Sequence, residues 1–144
     1  MTTAPPDHAL RLAALWGAWL LLMLFHVELG LMPLFHGLRV EIETRVHPER
    51  VPRLFWAMLV YFVLPLLAML LAVYGASAPA GWSASPSWRA GQLWLSALYT
   101  LTNVVHLVAD IRIPDSRGDQ VALMAVLCVI GGLINVEAWL WWRA

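Results

Sequence analysis

Lysine is absent from this sequence: all nine basic residues are arginine, and charged residues make up only 12% of the 144-residue chain. The formal net charge is zero, with no basic tail or charge run, so the footprint that nucleic acid requires is missing and that partner is excluded. Cysteine is almost absent too. Cys128 alone excludes a disulfide framework and a Cys-x-x-Cys redox or metal pair, and inside its apolar stretch it reads as a small buried hydrophobe. A nucleotide-binding loop, a recognisable catalytic motif, a soluble domain and a lipidation box are also lacking.

What the chain has instead is apolar length. Hydrophobic residues make up 61% of it, which places it in the membrane class, and nine tryptophans suit a protein with two membrane interfaces. The opening "MTTAPPDHALR" lacks a strong positive charge, and the apolar run behind it exceeds a signal-peptide core. That run is expected to remain as a membrane helix.

Four segments reach the roughly 20 residues that a helical span needs, at about 12–34, 54–74, 92–111 and 121–142. They form one domain over residues 1–144. The connections are short. The first, "HGLRVEIETRVHPERVPR", is charged; the second, "GASAPAGWSASPSWRAG", is small and nearly uncharged; the third, "RIPDSRGDQ", is a tight polar turn. Short links make neighbours antiparallel, so the expected fold is an all-α, up-down bundle of four transmembrane helices.

Arginine placement sets the expected orientation. Arg39, Arg45, Arg50, Arg53, Arg112 and Arg117 fall on the side of the first and third connections, against Arg11, Arg89 and Arg143 on the other. The positive-inside rule then puts both termini on the non-cytoplasmic side, in a bacterial inner membrane or an internal membrane. Trp82, Trp88, Trp94, Trp139, Trp141 and Trp142 crowd that outer side. Within the second span, Pro65 removes a backbone hydrogen bond that neighbouring helices must make good. Gly131 and Gly132 in the fourth offer a smooth surface for close helix packing.

Costly residues are concentrated in a few places. His26 follows Arg11, and His106 follows Gly91, by the same number of residues, which puts each about 22 Å below the outer interface. The two histidines therefore share a depth and are placed to face one another. In the third helix, Tyr99, Thr102, Asn103, His106 and Asp110 form one polar stripe, with Asp110 one turn beyond His106 and placed to orient an imidazole. Glu28 lies two residues from His26 and points to nearly the opposite helix face, so both cannot line one small site unless Gly30 and Pro33 distort the helix. A carboxylate in hydrocarbon must be protonated, paired or turned to a polar cavity, and the expected partners of Glu28 are the third helix or the arginines of the first connection. Glu137 raises the same question beside Asn135 and Arg143. His36 sits near the inner interface, while His8 and His47 belong to polar segments.

Three functional classes fit these residues. The first in order is a non-catalytic accessory or structural subunit of a larger membrane complex, with the lipid bilayer and other membrane subunits or further copies as partners, because no complete site is legible. The second is a b-type haem, or a chlorophyll, held by His26 and His106. In layout this resembles the small membrane cytochromes b and the haem-bearing anchors of respiratory enzymes, although no family motif accompanies the two histidines. The third is a metal or proton-relay enzyme or transporter using His26, Glu28, His36, His106 and Asp110, since imidazole and carboxylate are ligands of first-row metals.

Overall fold

The computed structural model describes residues 7–38, 47–77, 82, 85–112 and 117–144, and among them every long element is helical. Helix α1 spans His8–Phe35, α2 Val51–Ser77 after a single 3-10 turn at Pro48–Arg50, α3 Pro86–Arg112 and α4 Gly118–Arg143. Each contains its expected apolar segment and extends past it at both ends. The carboxylate of Asp7 starts α1 by accepting from the Leu10 amide at 3.0 Å. Gly37 stops it: at φ 70° it takes the left-handed conformation, while the Gly37 and Leu38 amides donate back to Leu34 and Pro33.

Contacts along the helices set their directions. His8 at the start of α1 meets Glu137 near the end of α4, and Arg117 before α4 reaches the Leu29 carbonyl late in α1, so α1 and α4 are antiparallel. Helices α3 and α4 are joined by Arg89 to the Trp141 carbonyl and by Asn135 to Thr100, and are likewise antiparallel. The α2–α3 pair follows suit: Tyr61 bonds Thr102, and Gln92 bonds the Ala68 carbonyl. The up-down arrangement is therefore present, with α1 and α3 pointing the same way.

The core is aromatic. Trp16 and Trp19 of α1 are fully buried and meet Tyr99 of α3 edge-on, with centroid separations of 5.7 and 5.3 Å. Tyr61 of α2 closes the group at 4.8 Å from Tyr99. The Trp16 indole donates to Gln92 Oε1, whose amide nitrogen donates in turn to the Ala68 carbonyl, so this buried amide is satisfied on both sides.

Two helices contain an internal proline, and each proline removes the donor for the carbonyl four residues earlier. For Pro65 that acceptor is Tyr61, and the Tyr99 hydroxyl donates to it at 2.6 Å. For Pro33 it is Leu29, and Arg117 donates to it at 3.0 Å. Side chains from outside each helix thus replace both missing bonds.

One expectation is narrowed. Helices α1, α2 with its leading turn, and α4 are long and apolar enough to cross a membrane, and α3 is not a span by that measure. Its length suffices; its polar stripe is the reason. Gln92, Ser96, Tyr99 and Asn103 dilute its hydropathy, yet all four are buried against the other helices.

Candidate functional site

The candidate site lies where side chains of α1 and α3 meet across the bundle, toward the C-terminal ends of both helices. His26 comes from α1, one turn after the buried Met23, on the face that also carries Trp16 and Trp19. His106 and Asp110 come from α3 at i and i+4, the spacing that puts two side chains on one helix face. The His26 and His106 rings meet edge to face, with centroids 5.1 Å apart and planes at 90°. Asp110 sits between them: Oδ1 is 3.5 Å from His106 Nε2, and Oδ2 is 3.9 Å from His26 Nε2. One ligand atom from each residue falls within 4.8 Å of the others.

These separations are too long for good hydrogen bonds. Correspondingly, Asp110 Oδ2 and His26 Nδ1 are buried without a hydrogen-bond partner among the described residues. Asn103, one turn before His106 and only 1% exposed, has both amide atoms in the same condition. Buried polar atoms of this kind call for a water or an ion.

The donor set suits a metal. Two ligands bound at about 2 Å to a tetrahedral ion are roughly 3.3 Å apart, so the 3.5 and 3.9 Å separations need only small side-chain shifts. Two imidazoles and one carboxylate would leave coordination positions open. A haem sandwiched between the same histidines fits poorly. Axial ligation needs the two imidazoles on opposite faces of a macrocycle, whereas rings in edge contact leave no slot for one, and both Nε2 atoms lie near the same carboxylate.

A cavity of about 310 Å³ adjoins the cluster between α1 and α2. His26 and His106 contribute to its wall together with Met23, Val27, Ala57, Met58, Tyr61 and Phe62.

Of the residues singled out from the sequence, His26, His106 and Asp110 come together. Asn103 lies on the same helix one to two turns away. Glu28 and His36 do not join them. Glu28 faces outward from α1, as its two-residue offset from His26 requires, and makes no ion pair among the described residues. Its expected bond to the third helix is therefore not made. Of its other expected partners, the arginines of the first connection, Arg50 and Arg53 make no ion pair with it, and Arg39 and Arg45 lie outside the described residues. His36 is exposed at the end of α1.

Two contributions escaped the sequence reading. His8 from the polar N-terminal segment pairs with Glu137 at 2.7 Å, across 129 residues, while the neighbours expected for Glu137 act elsewhere: Asn135 on Thr100 and Arg143 over the Trp139 ring. Tyr61, a cavity residue, gave no signal because a tyrosine in an apolar helix looks like any core aromatic. No family model, curated protein or solved structure matches this chain.

Proposed function

We propose that this chain is an integral membrane protein that holds one divalent first-row transition metal ion through His26, His106 and Asp110. The observation that carries this reading is the convergence of two imidazole nitrogens and a carboxylate within 4.8 Å, at separations longer than a good hydrogen bond. The orphaned Asp110 Oδ2 supports it, because a bound ion supplies its missing partner, while the buried Asn103 amide next to the cluster suits a water. The role placed first from the sequence, a non-catalytic subunit of a membrane complex, is the alternative, and it leaves Asp110 Oδ2 and the Asn103 amide without partners.

All four helices cross the bilayer in this reading. The outward face of α3 is apolar, with Trp94, Leu98, Leu101, Val105 and Val108 at helical spacing, while Gln92, Ser96, Tyr99 and Asn103 turn inward and His106 stays half-exposed at the edge between the two faces. Lipid therefore meets a hydrophobic surface on α3 as on its neighbours. With the arginine-rich ends of α1 and α3 cytoplasmic, the metal lies in the inner half of the membrane.

Two measurements test these statements. Purified protein loaded with zinc or ferrous iron and freed of excess carries one ion per chain, and His26→Ala, His106→Ala and Asp110→Ala each lose it while Glu28→Gln does not. Equal metal content in all four variants overturns the assignment. In a Cys128→Ser background, an impermeant maleimide added to intact cells labels Ser85→Cys but not Asp119→Cys. Labelling of both from one side shows that α3 does not cross.

A further inference from the structure

The cavity beside the cluster is unlike the rest of the interior, because its only strongly polar feature is the pair of imidazoles. Ala57, Met58, Tyr61 and Phe62 of α2 supply apolar wall, and the Tyr61 hydroxyl is already engaged with Thr102. At about 310 Å³ the cavity holds on the order of ten water-sized groups, enough for a short chain or a small ring.

Its position decides how an occupant arrives. His26 stands nine residues before the end of α1 at Phe35, or about 14 Å of helix from the nearer interface. Ala57 and Met58 are exposed on α2, well inside the stretch that crosses the bilayer in this reading, so the cavity is open to the surface that α2 presents to lipid. A water-soluble anion would have to leave water and enter a wall of methionine and phenylalanine, and among the described residues lining the cavity none is arginine or lysine.

We infer that the cavity is the binding site for a membrane-dissolved molecule with an apolar body and one oxygen-bearing head, which takes an open coordination position on the ion between His26, His106 and Asp110. This rests on the metal reading above. The apolar body fills the space against Ala57, Met58 and Phe62, and the head replaces metal-bound water. Two imidazoles and a carboxylate hold the ion while leaving room for that exchange.

The test uses cobalt(II), whose visible bands report both metal binding and changes in coordination, and two probes with the same head. Octanohydroxamic acid carries an apolar chain and acetohydroxamic acid does not. Both are titrated into the cobalt-loaded protein in detergent and into Ala57→Trp, which puts bulk into the cavity from the α2 wall and leaves all three ligand residues in place. Comparison with the variant cancels partitioning of the long probe into micelles. The expected result is unchanged cobalt bands in Ala57→Trp, unchanged acetohydroxamate affinity, and roughly tenfold weaker octanohydroxamate binding. Cobalt bands that respond to both probes identically in wild type and variant overturn the cavity assignment and leave the metal site standing. Absence of cobalt bands in the wild type removes the metal site and this inference together. Ala57→Leu, a smaller intrusion, produces an intermediate loss if the chain occupies the cavity and none if it does not.

Discussion

The hydroxyl of Tyr99 donates to the backbone carbonyl of Tyr61 at 2.6 Å, and that carbonyl is the one Pro65 leaves without its helical donor. Proline inside a membrane helix exposes a carbonyl that hydrocarbon cannot satisfy. Here the third helix supplies the replacement, which ties α3 to α2 where few other backbone approaches join them. The same bond lies inside the aromatic cluster, two turns of α3 before His106.

Removing the hydroxyl should therefore matter only while the proline is present. Tyr99→Phe is expected to cost about 1 kcal/mol of unfolding stability in mixed micelles. In a Pro65→Ala background, where the helix regains the missing backbone amide, the same change costs little. A double-mutant cycle measures the difference, and equal costs in both backgrounds contradict the role given to Tyr99.

The two adjacent glycines of α4 should behave differently. A Cβ at Gly131 would stand 2.8 Å from Thr100 Oγ1, the atom that accepts from Asn135, whereas a Cβ at Gly132 meets nothing within 4 Å. Gly131→Ala is expected to destabilise by about 1 to 3 kcal/mol through overpacking and loss of the Asn135 bond. Gly132→Ala gains helix propensity and is neutral or stabilising. Thermal unfolding of the two variants in one detergent separates them.

His8 and Glu137 clamp the start of α1 to the end of α4 at 2.7 Å, with both side chains mostly buried. Glu137→Gln and His8→Ala are each expected to cost about 2 kcal/mol, and the double variant little more than either. Additive losses would show that the two residues act separately. Neither variant should change metal content, since the pair lies at the opposite end of the bundle from His26.

The helices were legible because a run of about 20 apolar residues has few other solutions. The shared depth of His26 and His106 was legible as well, since rise per residue converts sequence distance into depth, and their rings do meet. Asp110 followed from its one-turn offset. What stayed hidden were pairings between residues far apart in sequence: His8 with Glu137, Arg117 with the Leu29 carbonyl, and Tyr99 with the Tyr61 carbonyl. Spacing rules act within one helix and are silent about which faces of two helices touch. The third-helix partner expected for Glu28 failed for a related reason. Its cost in hydrocarbon suggested a bond there, but Glu28 is exposed, on a face of α1 turned away from the buried His26.

The central claim, an ion held by His26, His106 and Asp110, is tested most directly by X-ray absorption fine structure at the zinc edge of the zinc-loaded protein. The expected spectrum has a shell of nitrogen and oxygen at about 2.0 to 2.2 Å with the outer-shell scattering of two imidazoles, falling to one imidazole in His106→Ala. A sulfur shell, an absence of imidazole scattering, or a spectrum unchanged in that variant would contradict it.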